Sequence, residues 1–514
     1  MPGVRKARKK RKALREAMNP QAGKQPRKKP FNPGIFKRMP GELKTPGDRR
    51  RDGNMYATIP VGRMRISTAH FIPLSFLVVI IVGTLLLLLP ISTVPGQRTT
   101  LLTAAFTATT SVCVTGLVVV DTYAHWTVFG QSVILILIQI GGLGVVAVGS
   151  MLLILGKKKF SLGDRKLLND ALNVDKRRGQ IKFLLRIFHG VFIVEGIGAL
   201  LYAIKFIPMF GFGKGLFASV FQSVSAFCNA GMDILGPGSM IDYRDSALLM
   251  GTTIVLIVLG GLGFVVWFDF IDGIKEGIRN HYSPGRIFQH LPVHTKLVLM
   301  MTGILITFGT VFVFAAEYGN PATLGGMDLP GKLGNSLFQS VTFRTAGFAS
   351  VPQEGLTELS CLAGYLLMFI GGSPVGTAGG IKTVTAFLIF MNVFSYVNGR
   401  RENVIFHRRV SEELMRKAAA VVFVSFAAVF IMTLLLLSRG GISLTDGLYE
   451  VISALATVGL SRGLTPRLDD VGRMIIILSM YLGRIGPISM AIFFVRGANA
   501  GNKLRHADGT FYVG

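Results

Sequence analysis

Long uncharged apolar stretches alternate with short polar ones over most of this chain. Residues 71–90 (FIPLSFLVVIIVGTLLLLLP) and 132–155 each carry about 20 mostly apolar residues, enough to cross ~30 Å of hydrocarbon as a helix. One such run fits a buried helix of a water-soluble protein. Roughly eight of them place the chain in lipid. First spanning helices are expected near 70–90, 181–207, 293–316 and 413–437, and second ones near 127–155, 246–270, 359–397 and 471–495. Between the members of each pair lies an apolar stretch (101–112, 215–227, 332–343, 445–455) of about 12 residues. That is too short to span and suits a re-entrant half-helix. The pattern predicts an all-α polytopic membrane protein with four helix–pore-helix–helix repeats around one central pore and eight spanning helices.

Each short stretch ends in a similar motif: TSVCVTGL (110–117), SAFCNAGM (225–232), VTFRTAGF (341–348) and SALATVGL (453–460). Their glycines, Gly116, Gly231, Gly347 and Gly459, are spaced by 115, 116 and 112 residues. Irregular backbone at membrane depth survives only where it is buried in protein or lines water. A glycine there permits positive φ and leaves no side chain in the way of an ion. One glycine alone would read as helix packing. Four in register, each preceded two positions earlier by Val114, Asn229, Thr345 or Thr457, can surround one axis with carbonyl oxygens that replace a monovalent cation's hydration shell. The expected filter residues are Cys113, Val114, Thr115 and Gly116; Cys228, Asn229, Ala230 and Gly231; Thr345, Ala346 and Gly347; and Ala456, Thr457, Val458 and Gly459.

Two further features interrupt spanning helices. GGSPVGTAGGIKT (371–383) cannot continue a lipid-facing helix, because Pro374 removes a donor and Gly371, Gly372, Gly376, Gly379 and Gly380 lower helix propensity. It should line the pore with Ser373, and a passive kink is the plainer alternative. Arg484 lies inside the last spanning helix, where a charge faces a water-filled cavity or a partner. It follows Gly459 by 25 residues, as Gly371 follows Gly347 by 24, so both belong near one level. A structural ion pair is the alternative for Arg484, and Lys382 is a weaker candidate for the same barrier. Gly141–Gly142 and Gly260–Gly261 read as close helix packing. Glu195 is expected to pair with His189 or Arg186, Arg344 to anchor its pore helix through local carbonyls, and Trp126, Trp267 and Asp269 to sit at the membrane interface.

With CVTGL, FCNAGM, FRTAGF and ATVGL, the chain resembles the Trk/Ktr/HKT superfamily of K+ transporters over roughly residues 70–497. It is closest to the Ktr-type membrane subunit, since no extra helix pair precedes the first repeat. The resemblance implies a K+-translocating pore subunit whose filter holds K+ at the residues named above. It implies an intramembrane gate loop over 371–380 and a pore-obstructing arginine at Arg484. In that family the pore subunit forms a homodimer and a cytoplasmic ring of nucleotide-binding RCK subunits regulates the pore, so the resemblance implies both partners here. Gly116, where some plant relatives carry serine and prefer Na+, implies K+. A Na+-selective or Na+-coupled relative is the alternative.

Charge sets orientation. The net charge is +28, while charged residues are only 16% of the chain, hydrophobic residues 50% and mean hydropathy +0.52. Basic clusters occur in 1–69, 157–182, 275–286 and 400–417, always after a second helix or before a first one, and Lys503 and Arg505 extend the pattern. The positive-inside rule then puts both termini in the cytoplasm of a multi-pass cell-membrane protein. The expected division is a basic, mostly disordered tail (1–69), repeats with their loops at 70–180, 181–292, 293–412 and 413–497, and a C-terminal tail (498–514). The basic tail suits anionic lipid better than nucleic acid, and nucleic acid is not an expected partner. Cys113, Cys228 and Cys361 lack metal-ligand spacing. No nucleotide motif or catalytic constellation appears, so no enzyme activity and no cofactor in this chain are expected beyond the transported K+, or Na+ in the alternative.

Overall fold

The computed structural model describes residues 58–61, 64–155, 180–400 and 402–486. Most of the expected basic tail (1–69), most of the basic stretch 157–182 and all of the C-terminal tail (498–514) lie outside the described residues.

The same order of elements recurs four times. The first repeat has α1 (Thr68–Leu87), the short α2 (Leu101–Cys113), α3 (Val128–Leu143) and α4 (Val145–Leu155). The second has α5 (Gln180–Phe210), α6 (Phe212–Cys228), α7 (Ala247–Leu262) and α8 (Phe264–Arg279). The third has α9 (Val293–Glu317), α10 (Leu329–Phe343), α11 (Glu358–Phe369) and α12 (Thr383–Val397), and the fourth has α13 (Glu412–Leu437), α14 (Leu444–Leu455) and α15 (Asp470–Ile485). Side-chain caps start many of these helices. Thr100, Thr127, Asp328, Thr357, Ser443 and Asp469 each accept a hydrogen bond from a backbone N–H in the first turn, satisfying donors the helix leaves free.

The long helices present apolar side chains outward. On α1 these include Leu74, Val78, Ile81 and Leu85, and on α13 Phe423, Phe426 and Phe430. Apolar surface on this scale needs lipid to cover it. Among the described residues four helices, α1, α5, α9 and α13, are long and apolar enough to cross a membrane, or six spans when each bent pair counts as one. The expected straight second helices over 127–155 and 246–270 are corrected here. They break after Leu143 and Leu262, where the chain bends by 100° and 99°. Gly144 (φ 90°, ψ 128°) and Gly263 (φ 88°, ψ 138°) make the breaks, a backbone that only glycine adopts without strain.

Packing closes the repeats into a cycle. Each long first helix packs on its own repeat's short helix: α1 on α2, α5 on α6, α9 on α10, α13 on α14. Each second helix packs on the short helix of the next repeat: α3 on α6, α7 on α10, α11 on α14, and α15 back on α2.

Candidate functional site

The four short helices end at residues whose backbones turn left-handed. Val114, Asn229, Thr345 and Thr457 have φ of 55°, 59°, 66° and 52°, costly for β-branched side chains and retained only where the surroundings fix them. Two residues on, Gly116, Gly231, Gly347 and Gly459 have φ of 101°, 67°, 84° and 97°. The four motifs, which sequence spacing alone placed in register, thus share one backbone conformation.

They also meet. A β-carbon on Gly116 would stand 2.5 Å from the Ala230 carbonyl oxygen and 3.2 Å from the α-carbons of both Gly231 and Gly459. One on Gly231 would stand 2.7 Å from the Ala346 oxygen, and one on Gly347 2.5 Å from the Val458 oxygen. One on Gly459 would strike the Thr115 oxygen. Each glycine therefore makes room for the carbonyl that precedes the next glycine, in the order first, second, third, fourth, first. Hydroxyls hold the strands: Thr110 Oγ1 accepts from Gly116 N at 2.9 Å and Ser453 Oγ from Gly459 N at 3.1 Å. Ser225 Oγ donates to the Met232 carbonyl at 2.5 Å and Thr342 Oγ1 to that of Phe348 at 2.7 Å. Cys113, Cys228 and Ala456, at the helix ends, are buried with the strands. The buried hydroxyls of Thr115, Thr345 and Thr457 have no protein partner.

The chain between α11 and α12 folds against the base of this ring. Its ends are tied by Gly371 N to Ile381 O, Ile381 N to Phe369 O and Thr383 N to Gly372 O, each 3.0 Å. Its middle docks on the break of the second repeat, with Ser373 N to Gly261 O at 2.9 Å, Thr377 N to Gly260 O at 3.1 Å and Phe264 N to Val375 O at 3.0 Å. Pro374 and Gly376 lie half-buried against Gly263, where the space for a side chain on Gly263 is taken by the Pro374 carbonyl and that on Gly376 by the Gly263 backbone. Towards the ring, Gly371 faces the Thr345 methyl at 3.0 Å and Gly379 faces the Ala456 carbonyl at 2.5 Å, distances from an added β-carbon. Gly380 packs on Gly371.

Arg484, half-buried, joins this loop to the first repeat. It donates from one Nη to the Thr377 carbonyl at 2.7 Å and from the other to the Gly141 carbonyl. No ion pair among the described residues includes it. Lys382 donates to the Ala378 carbonyl, 2.6 Å away within the same loop. The glycine pairs pack closely, as expected, and against the ends of the short helices. Gly141, Gly260 and Gly483 lie against the carbonyls of Val112, Phe227 and Leu455 at the ends of the short helices. Three residues after each comes a breaking glycine, Gly144, Gly263 or Gly486 (φ 92°). Arg484 therefore occupies in the fourth repeat the place that Gly142 and Gly261 hold in the first two.

Several expectations are corrected. Glu195 accepts from Gln139 Nε2 at 3.1 Å and lies beside the Cys228 thiol, while Arg186 pairs with Asp272 at 2.9 Å. Arg344 is buried and its Nε has no hydrogen-bond partner. Trp126 and Trp267 are buried in the protein, which leaves little of either ring to anchor in lipid headgroups, and Trp267 Nε1 donates to the Leu259 carbonyl at 2.9 Å. Asp269 accepts from Thr295 at 2.6 Å. Among the described residues no cluster of His, Cys, Asp and Glu could hold a metal ion.

Comparison with known proteins gives a consistent picture. The family model described as "TrkH: Cation transport protein" matches residues 66–502. The Ktr system potassium uptake protein B of Bacillus subtilis is 37% identical, over 88% of this chain and 98% of its own. The potassium/sodium uptake protein NtpJ of Enterococcus hirae is 35% identical, over 85% and 95%. The Ktr system potassium uptake protein B of Vibrio alginolyticus is 35% identical, over 83% and 91%. The crystal structure of the potassium transporter TrkH from Vibrio parahaemolyticus superposes with a TM-score of 0.66 at 15% identity, covering 83% of this chain and 84% of that one.

Proposed function

The chain belongs to the TrkH family of cation transport proteins, and from that premise we propose that it is the K+-translocating pore subunit of a K+ uptake system. The observation that carries this reading is the cyclic meeting of four glycine-bearing strands, each leaving room for the next strand's carbonyl. In this reading an incoming K+ sheds water and takes up carbonyl oxygens of the strands 113–116, 228–231, 345–347 and 456–459 in exchange. The eight spans, the division into repeats, and cytoplasmic termini in the cell membrane belong to the same proposal. The charge distribution supports the orientation.

Below the filter, the loop 371–382 is the gate and Arg484 its latch. A cation leaving the filter meets both the loop backbone and a fixed positive charge. At ~4 Å two like charges repel by about 4 kcal/mol at an effective dielectric of 20, and less where water fills the cavity. Passage therefore requires Arg484 to leave Thr377 and Gly141, or the loop to swing away. A second copy of the chain and a cytoplasmic nucleotide-binding RCK ring are the proposed partners, by family resemblance. Na+ transport is the second reading, favoured by the relative named a potassium/sodium uptake protein.

Expression in transport-deficient cells tests the proposal through K+ uptake with and without a Na+ gradient. Uptake that needs only K+ supports the first reading. Uptake that requires or carries Na+ supports the second, and no cation uptake by correctly inserted protein overturns both.

A further inference from the structure

One motif remains unused by this mechanism: SRGLTPR (461–467), directly after the fourth glycine. The first of its two arginines, Arg462, is the centre of a polar clasp. Arg462 donates from Nε to Asp446 Oδ1 in the first turn of α14, at 2.9 Å. Its Nη groups donate to the carbonyls of Gln353 at 3.0 Å, Glu354 at 3.2 Å and Leu356 at 3.3 Å. Those carbonyls belong to the loop that follows the third glycine strand. One guanidinium thus ties the loops after the third and fourth strands to each other and to α14.

Two further layers stiffen the clasp. Glu450, one turn along α14 from Asp446, is fully buried and accepts from Ser461 at 2.8 Å and from Thr465. Gln353 bridges the two short helices: its amide exchanges hydrogen bonds of 2.8 and 3.1 Å with Gln339 of α10, and its oxygen accepts from Tyr449 of α14 at 3.0 Å. Gln339 and Tyr449 are fully buried. A buried polar network whose members are satisfied is rigid, because any displacement strands a group away from water. The loop after the first glycine offers Leu117, Val118 and Val119 in the same place, with no charge to do this.

Arginine suits the task as lysine does not. Its planar fork addresses several fixed acceptors in one plane, whereas an ammonium is a mobile point charge. The side chain is 16% exposed and that of Asp446 28%, so the pair is shielded enough to keep its strength.

Resting on the transport reading above, we propose that Arg462 is a positioning residue for ion selectivity, fixing how far apart the third and fourth glycine strands stand. Na+ is smaller than K+, so carbonyls must be kept from closing on it if K+ is to be preferred. A clasp outside the ring resists that closure without touching the ion.

The test is the K+/Na+ flux ratio of purified full-length protein in vesicles, with the thermal unfolding midpoint recorded alongside. Arg462→Met, which removes the clasp's four bonds to oxygen, is expected to lower the ratio about tenfold, a differential of about 1.4 kcal/mol between the two ions. Arg462→Lys should fall between it and the parent, and Tyr449→Phe, which removes one bond and little packing, should lower the ratio less. Variants that unfold earlier but keep the parent's ratio overturn the proposal and leave Arg462 a structural tie. Should Arg462→Met fail to fold, Arg462→Lys and Tyr449→Phe decide by the same ratio. A parent protein that passes neither ion overturns the transport reading itself, a result distinct from an unchanged ratio.

Discussion

Gly116 stands where a side chain meets two obstacles at once. Its φ of 101° strains any L-residue, by about 1–3 kcal/mol, and a β-carbon would lie 2.5 Å from the Ala230 oxygen. Gly116→Ser must therefore push the first and second strands apart or turn a carbonyl away. Since the hydroxyl can take that carbonyl's place beside an ion, the expected result is a lower K+/Na+ flux ratio in reconstituted vesicles. An unchanged ratio in well-folded protein would remove Gly116 from the filter. Arg484 gives a prediction of opposite sign. It holds two backbone carbonyls and no carboxylate among the described residues, so Arg484→Ala strands no buried charge, the costly case for broken ion pairs. What is lost is a latch of two charged hydrogen bonds, each worth about 1.5–3 kcal/mol. Normal yield with several-fold faster K+ flux per folded molecule is expected. Normal yield with unchanged flux would shift the barrier to Lys382.

At the scale of elements, the loop 371–382 depends on borrowed hydrogen bonds. Its middle is held by Gly260, Gly261 and Phe264 of the second repeat, while its own glycines add little stiffness. Such a segment costs little to move, as a lid requires. Shortening it within 374–379, with α11 and α12 kept, should raise basal K+ flux measured in vesicles. Deletion variants that fold and conduct no more than the parent would make the loop a kink. The same elements mark how far the sequence could be read. The glycine ring was legible because four motifs recur at nearly equal intervals, each at the end of an apolar stretch of about 12 residues. The breaks at Gly144 and Gly263 were not, because G-G-L-G lies inside an unbroken apolar run and changes no polarity. The level of Arg484 was legible from its spacing to Gly459, and it does meet the loop at Thr377, but its second acceptor, the Gly141 carbonyl 343 residues away, was not. Partners far apart in sequence were hidden for the same reason. Gln139 reaches Glu195 across 56 residues and Arg462 reaches Gln353 across 109.

Across the whole molecule, one chain carries four repeats, so each can diverge while the ring stays closed. The third has the long loop, the fourth the arginine, and the first two keep bare glycine breaks. Separate identical subunits could not divide the labour in this way. Orientation is the remaining property of the whole. The segments 91–97 and 350–359 contain no Lys or Arg, whereas 275–286 holds Lys275, Arg279 and Arg286. In the proposed orientation, with positive charge retained on the cytoplasmic side, the glycine strands' outer ends and residues 91–97 would face outside. The three native cysteines are buried, so an introduced thiol would report with little background. Gln97 and Ser283 are both exposed, and neither side chain is a helix cap or part of the ring. In intact cells a membrane-impermeant maleimide should label Gln97→Cys and spare Ser283→Cys, which should react only after permeabilisation. The reverse pattern would invert the molecule, place Arg484 and the loop on the outer side of the ring, and turn the proposed cytoplasmic latch into an external one.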